Sequence, residues 1–246
     1  MQILKRLILA FLFLFGIIAN AAEFDMPQYE SPLLEVEDGY ATIMNSPDIA
    51  VGSSGVVMHK FANGDRSIVA RAVVAEKMGN LAKVRFEVFD SLEQKALPLP
   101  KVLPSQGDTV ILNFLYNRAL LVVPNAEIYE QIVAAFPNIT FIHPDLAGAH
   151  LSYNFKPNPS RDDFRKMCSN NAAGLIFIAL DKESLFADCG SFEPLKTFAS
   201  GEVSYYQIPF YSRVGKIDTM FFDVLNGQIN DYDRHYRYLL GQKSGN

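Results

Sequence analysis

The sequence predicts an α+β protein of mixed architecture. An N-terminal antiparallel β meander or small barrel is followed by a mixed α/β part with C-terminal helices. Residues 81–89 alternate between apolar and polar side chains, which is typical of a strand with one face in water. Residues 174–180 form a continuous apolar run, which is typical of a central strand. Helically spaced apolar residues between Asn125, a good N-cap, and Pro137, which ends a helix, predict a helix.

The first 21 residues predict a signal peptide. Lys5 and Arg6 precede an apolar run over residues 7–18, and a small-residue pattern follows at residues 19–21. The alternative is a membrane anchor, but a helix of about 12 residues spans only ~18 Å of a ~30 Å hydrocarbon core. We therefore expect an exported protein of the periplasm or outer cell surface, with no integral membrane segment after signal cleavage.

The charge balance argues against nucleic acid as a partner. The 246 residues carry 22 basic and 27 acidic side chains. Removal of Lys5 and Arg6 with the signal peptide lowers the formal net charge from −5 to −7. Binding to the phosphate backbone needs clustered basic residues, which the sequence does not contain.

Turn sequences divide the β-rich part into strands. Asn63-Gly64-Asp65 and Gly79-Asn80 supply typical turn chemistry. The predicted strands are residues 33–36, 55–61, 68–74 and 81–89. Prolines at positions 98, 100 and 104 then indicate an extended connector. We place the domain boundary there, with a β-rich domain over residues 22–105 and a mixed α/β domain over residues 106–246.

The second part is predicted to combine strands and helices. Residues 108–114 and 118–123 are expected to form a hairpin. Ser160 and Asp163 resemble a capping box, with Asp in place of the usual Glu, at the start of a helix that buries Cys168.

The two cysteines predict a disulfide bridge. In an oxidising compartment Cys168 and Cys189 are most simply joined. The bridge closes a loop of about 20 residues and stabilises the fold by roughly 3 kcal/mol on the chain-entropy estimate. The alternative is a reactive thiol, but no Cys-x-x-Cys motif or neighbouring histidine supports it.

Aromatic residues are concentrated in the C-terminal quarter and allow two interpretations. Apolar stripes near residues 221–225 and 232–240 are typical of helices packed on a sheet. Tyrosine and arginine are also favoured in protein–protein interfaces. The candidate partner surface on this second interpretation comprises Tyr205, Tyr206, Phe210, Tyr211, Arg213, Tyr232 and Tyr236.

The motif search predicts no catalytic residues, no metal site and no cofactor. The common nucleotide-binding, zinc-protease and nucleophile-elbow motifs do not occur. His143 and Asp145 with His150 could be interpreted as a metal site, but Pro144 argues against both histidines lying on one regular helix face. Residues 231–235 contain two aspartates and a histidine, and we interpret them as a solvated helix face.

Several short segments occur in a characteristic order. They are residues 107–110, residues 123–125 followed by 128–132, residues 139–142 with Asp145 and Leu146, residues 166–168, residues 189–193, and residues 210–214 with Ile217 and Asp218. Together they resemble the N-terminal region of plasminogen-binding surface proteins of the PgbA type. The resemblance extends from about Val51 to Val224, and both cysteines lie in matching segments.

The resemblance implies an exported, non-enzymatic cell-envelope protein that captures plasminogen. The lysine-binding kringle modules of plasminogen would hold a lysine side chain, preferably at a C-terminus. Longer family members continue into a Lys/Glu-rich tail that is not found here, so no binding residues are transferred. The alternative is a periplasmic scaffold or accessory component of an envelope machine, with another envelope protein as its partner.

Overall fold

The computed structural model describes residues 24–90, 101–215, 217 and 229–242. The predicted signal peptide and the helix expected near residues 221–225 lie outside the described residues. The described part confirms the predicted fold class, because an antiparallel sheet is followed by a mixed sheet and helices. None of the helices in these ranges is long and apolar enough to span a bilayer.

The first sheet contains seven antiparallel strands. They are β1 (Tyr29–Pro32), β2 (Glu35–Glu37), β3 (Tyr40–Met44), β4 (Ser54–Lys60), β5 (Arg66–Met78), β6 (Leu81–Glu87) and β7 (Thr109–Leu112). Their order in the sheet is β1-β7-β4-β5-β6-β3-β2. The strands predicted around the two turn sequences are confirmed as β4, β5 and β6. The predicted strand at residues 33–36 is confirmed only in its second half, because β2 begins at Glu35 and Leu33 and Leu34 connect it to β1.

The first sheet curls because its two edge strands are consecutive in the chain. Only Leu33 and Leu34 separate β1 from β2. The amide of Leu33 donates to the carbonyl of Asp108 beside β7, at 2.8 Å. The amide of Leu34 donates to the carbonyl of Thr42 in β3, at 2.9 Å. The side chain of Leu33 is buried in the apolar core that the curled sheet encloses.

The second sheet is mixed and is covered by helices. Its strands are β8 (Arg118–Val122), β9 (Thr140–Ile142), β10 (Leu175–Leu180), β11 (Glu183–Asp188) and β12 (Pro194–Ala199), in the order β12-β11-β10-β8-β9. The helices are α1 (Ala126–Ala135), α2 (Pro144–Tyr153), α3 (Arg161–Asn170) and α4 (Tyr232–Leu239). The predicted central strand is confirmed as β10, whose six residues are all buried. One face of β10 packs with α2, α3 and α4, and the other packs with α1.

Two of the predicted helix starts are confirmed in detail. The side chain of Asn125 accepts a hydrogen bond from the amide of Ile128 at the start of α1. The capping box of α3 is complete, because the Ser160 hydroxyl and the Asp163 carboxylate each accept from the other's backbone amide. Burial raises the pKa of Asp163, but hydrogen bonds from Lys156 and Ser160 hold that pKa below its ordinary value.

The hairpin predicted over residues 108–123 is wrong. Strand β7 pairs with β1 and β4 in the first sheet, whereas β8 pairs with β9 and β10 in the second. Asn113 and Leu115 have positive φ angles of 55° and 62°, so the chain leaves the first sheet instead of folding back on it. Because β7 lies beyond residue 105, the first sheet includes a strand from the predicted second domain. The division into two domains stays a prediction.

Helix α2 and strand β12 were not predicted. Pro144 occupies the start of α2, where a missing amide hydrogen carries no penalty. The His143 ring accepts a hydrogen bond from the amide of Asp145 and caps this helix, at 3.1 Å. Pro144 therefore begins the helix that contains His150, and His143 precedes that helix as its N-cap.

Candidate functional site

The predicted partner surface separates into three groups. The first group is buried and consists of Phe210, Tyr232 and Tyr236. The Tyr236 hydroxyl donates to the carbonyl of Pro209 at 2.7 Å. Burial raises the pKa of both Tyr232 and Tyr236 well above the ordinary tyrosine value. The structure places these three residues in the core between α4 and the second sheet.

The second group lies beside the start of α2. Arg213 holds Asp145 through its backbone amide and through its guanidinium, each at 2.7 Å. The ring of Tyr211 lies 5.5 Å from that of Tyr129 in α1. Burial raises the pKa of Asp145, but its hydrogen bonds from Arg213 hold that pKa below the ordinary value. This group joins the segment after residue 209 to α2, and its carboxylate is already occupied.

The third group, Tyr205 and Tyr206, is exposed near the turn between β10 and β11. These side chains are 54% and 38% exposed. The side-chain amide of Asn125 donates to the carbonyl of Tyr205 at 2.9 Å and holds the segment against the end of β8. Partial burial of Tyr206 and the hydrogen bond of its hydroxyl to Asp233 raise the pKa of this tyrosine.

Lys182 and Glu202 form an exposed ion pair at the same turn. Their ammonium and carboxylate groups are 3.0 Å apart, and the side chains are 64% and 79% exposed. The amide of Val203 donates to the carboxylate of Asp181 at 2.9 Å, which fixes the segment before Tyr205 beside the turn. We call Lys182, Glu202, Tyr205 and Tyr206 the turn surface.

The two charged members of the turn surface, Lys182 and Glu202, are not among the residues predicted from the sequence. The apolar run that ends at Leu180 is followed by the polar residues 181–184, a change that is typical of a turn. A lysine at the tip of a hairpin is exposed, so Lys182 was within reach of prediction. Its ion pair with Glu202 was not, because it depends on how residues 200–203 return to the turn.

A second candidate is a cleft of about 640 Å³ beside the contact between the two sheets. Ser54 and Arg71 line the cleft, and behind them the fully buried carboxylate of Asp188 links the sheets. It accepts hydrogen bonds from Arg71 at 2.8 Å, from the Tyr116 hydroxyl at 2.9 Å and from the Ser54 hydroxyl. Arg71 also pairs with Glu87. We call Asp188, Arg71, Tyr116 and Ser54 the buried joint.

The loop after Asp188 completes the buried joint. The amides of Gly190 and Ser191 donate to the Asp188 carboxylate at 3.0 and 2.7 Å. A side chain at position 190 would displace the guanidinium of Arg71, which glycine leaves in place on Asp188. A disulfide joins Cys168 in α3 to Cys189, immediately after Asp188. The bridge therefore holds the loop that caps the buried carboxylate.

The buried joint is better suited to holding the sheets together than to chemistry. Both oxygens of Asp188 are already engaged, and its carboxylate is sealed from solvent. Burial, followed by the charge of Asp188, raises the pKa of Tyr116 well above its ordinary value. Across the residues that the structure describes, no cluster of three or more His, Cys, Asp or Glu side chains is placed to hold a metal ion.

Comparison with known proteins identifies similarity over most of the chain. Residues 28–240 match the family model described as "Plasminogen-binding protein pgbA N-terminal". The chain is 33% identical over 218 residues to the plasminogen-binding protein PgbA of Helicobacter pylori strain J99. It has the same identity over the same length to PgbA of H. pylori strain 26695. Each match covers 87% of this chain and 47% of the relative, so the chain spans about half the length of these curated relatives.

Proposed function

The chain belongs to the pgbA N-terminal family of plasminogen-binding proteins, and we propose from this that it is an exported, non-enzymatic cell-envelope protein that binds plasminogen. The observation that carries the proposal is the family match over residues 28–240. Two relatives, each 33% identical to this chain, are named for plasminogen binding. The match covers about half of each relative, so plasminogen binding by the matched half alone is itself part of the proposal.

Export is supported by two independent features of the chain. The basic, apolar and small-residue order of residues 1–21 is typical of a signal peptide. The Cys168–Cys189 bridge fits an oxidising compartment, where disulfides form and persist. We propose that the protein resides in the periplasm or at the outer cell surface.

A binding role is supported by the chemistry of the two candidate sites. In the buried joint, Asp188 is fully hydrogen-bonded and is enclosed by both sheets. The turn surface instead combines exposed tyrosines with an exposed ion pair. Tyrosine is enriched among residues that dominate binding energy in protein interfaces.

Surface plasmon resonance with immobilised mature protein and plasminogen in solution tests the proposal. We expect saturable binding that a soluble lysine analogue, 6-aminohexanoic acid, removes. Removal by the analogue separates recognition of a lysine side chain from general charge attraction, because sodium chloride at the same molar concentration should have a smaller effect. Absence of analogue-sensitive binding at micromolar plasminogen would contradict the proposed function.

The second candidate function is a periplasmic scaffold or accessory component of an envelope machine. The observation in its favour is the exposure of Tyr205 and Tyr206 on a segment fixed to Asn125 at the start of α1, which offers an aromatic surface to another envelope protein. Labelling of a tagged protein in intact cells separates the two functions. A tag that reacts only after the outer membrane is permeabilised favours the scaffold, and full labelling of intact cells contradicts it.

A further inference from the structure

We infer that Lys182, with Glu202 beside it, is the lysine ligand that this domain presents to plasminogen. The inference rests on the proposed function and specifies the residues that would carry it. The partner is identified by its chemistry, namely a protein module with a pocket for a lysine side chain and a neighbouring carboxylate.

The Lys182–Glu202 pair brings together the two kinds of charge that a carboxyl-terminal lysine carries. Such a residue carries an ammonium group and a carboxylate on one short fragment. A pocket that prefers a carboxyl-terminal lysine must offer a negative group to the ammonium and a positive group to the carboxylate. Hydrogen bonds between charged groups are stronger than those between neutral groups, so both contacts add to affinity. Lys182 and Glu202 supply the same two charges from an internal position, 20 residues apart in sequence but adjacent in space.

The pair is available because opening it needs little free energy. Both side chains are more than half exposed. Exposed ion pairs contribute about 0–1 kcal/mol to stability, since water and salt compete for each charge. A binding pocket can therefore separate the two groups and contact each of them. By contrast, Lys156 is bound to the buried Asp163 carboxylate, and removing it would leave that charge without its cation.

The backbone under Lys182 is already ordered. Lys182 lies at the tip of the hairpin formed by β10 and β11, and every residue of β10 is buried. Its amide donates to the carbonyl of Gly201, and its carbonyl accepts from the amide of Ser200, both at 3.1 Å. The next segment is fixed through Asp181. A ligand on a fixed backbone loses less conformational entropy on binding, which favours affinity.

Among the described residues, no other lysine has an exposed carboxylate beside it. The Lys77 ammonium is held by the carbonyls of Ser46 and Ile49 at 2.8 and 2.9 Å. The Lys83 ammonium lies over the ring of Tyr40, 4.5 Å from its centroid. Four further lysines form no ion pair with any carboxylate in the described ranges: Lys60, Lys101, Lys166 and Lys196.

The tyrosines of the turn surface extend the contact beyond a single side chain. Tyr205 and Tyr206 are exposed and follow Glu202 by three and four residues. A partner module seated on Lys182 would meet these rings at its border. Apolar ring area that excludes water around a central charged contact is the usual arrangement of an interface hot spot.

The test is the substitution Lys182→Gln in the mature protein, measured against plasminogen by surface plasmon resonance. We expect the dissociation constant to rise at least about tenfold, the size of effect typical when a central interface contact is removed. Glu202→Gln should weaken binding less, by about threefold, since the ammonium remains. Lys196→Gln is the matched control, because Lys196 is an exposed lysine on the same sheet, and its binding should stay within about twofold of wild type.

The substitution itself is conservative for the fold. Lys182 has a positive φ of 61°, and glutamine accepts that backbone at a penalty similar to that of lysine. Circular dichroism and thermal unfolding of Lys182→Gln should match wild type. A second variant, Lys182→Arg, keeps the charge and should retain more binding than Lys182→Gln.

The outcomes separate the inference from the proposed function. Analogue-sensitive binding of wild type with unchanged binding of Lys182→Gln would overturn the assignment of Lys182 and leave plasminogen binding intact. Loss of binding in Lys243→Gln with retention in Lys182→Gln would place the ligand near the end of the sequence instead. Absence of wild-type binding would overturn both.

Discussion

Replacement of Asp188 by alanine should destabilise the protein strongly, because this carboxylate joins the two sheets. The substitution removes the acceptor of the Arg71 guanidinium and of the Tyr116 and Ser54 hydroxyls. It also removes the acceptor of the Gly190 and Ser191 amides. All of these donors belong to the buried joint or to the loop that caps it.

The size of the effect follows from the burial of these groups. Arg71 is only 16% exposed and would keep Glu87 as its remaining carboxylate partner. Removing one partner of a buried ion pair typically destabilises by about 3–5 kcal/mol. Each buried donor left without an acceptor accounts for about 1–3 kcal/mol when measured alone, and such values do not add within one network. We therefore expect Asp188→Ala to lower the free energy of unfolding by about 3–5 kcal/mol.

Urea denaturation of the oxidised protein measures this change. With a denaturant slope of about 2 kcal/mol/M, the midpoint should fall by roughly 2 M. Asp188→Asn retains an acceptor oxygen but loses the charge that neutralises Arg71, so its effect should be intermediate. Asp162→Asn is the control, because Asp162 is 88% exposed, and it should change stability by no more than about 0.5 kcal/mol. A decrease of less than about 1 kcal/mol in the free energy of unfolding of Asp188→Ala would refute the proposed role of Asp188 in joining the sheets. A decrease of that size is typical of the loss of an exposed ion pair.

Three further predictions concern α3 and its bridge. Ser160→Ala removes the helix cap and should lower the free energy of unfolding by about 1 kcal/mol in urea denaturation. Because the pKa of Asp163 is lowered on folding, its contribution is complete above the ordinary aspartate value of about 3.9 and is lost as the pH falls below it. Wild type should therefore lose more stability on acidification than Asp163→Asn, and equal losses would contradict the prediction. Mass spectrometry without reduction should find Cys168 joined to Cys189 in exported protein, and two alkylatable thiols would contradict this.

Elements whose signals are local could be predicted from the sequence. The alternation that defines β6, the apolar run of β10 and the caps of α1 and α3 each lie within a few neighbouring residues. Hydrophobic period and capping chemistry act at that range, so they specify an element before its partners are known. The family resemblance also depended on short segments in order, and the match over residues 28–240 confirms it.

Strand pairing could not be predicted in the same way. Strands β7 and β8 are separated by five residues, a distance that suits a hairpin, yet they belong to different sheets. Strand β7 stays in the first sheet because it pairs with β1. The paired residues of β1 and β7 are about 80 positions apart in the sequence. The buried joint depends on even longer separations, because Ser54 and Asp188 are 134 residues apart. Nothing in the local pattern of either residue indicates such a partner.

For the aromatic residues, helical spacing distinguishes the tyrosines that pack in the core from those that are exposed. Tyr232 and Tyr236 are four residues apart on α4, so they share one face and are buried, whereas Tyr238 on the same helix is exposed. That spacing already indicated packing against the sheet. Tyr205 and Tyr206 lie outside any helix or strand, where no period predicts burial. Their exposure depends on the 200–203 segment, which returns to the β10–β11 turn and brings Glu202 to Lys182. The same return of the chain therefore places both the exposed rings and the ion pair, which is why the turn surface is the stronger candidate for partner binding.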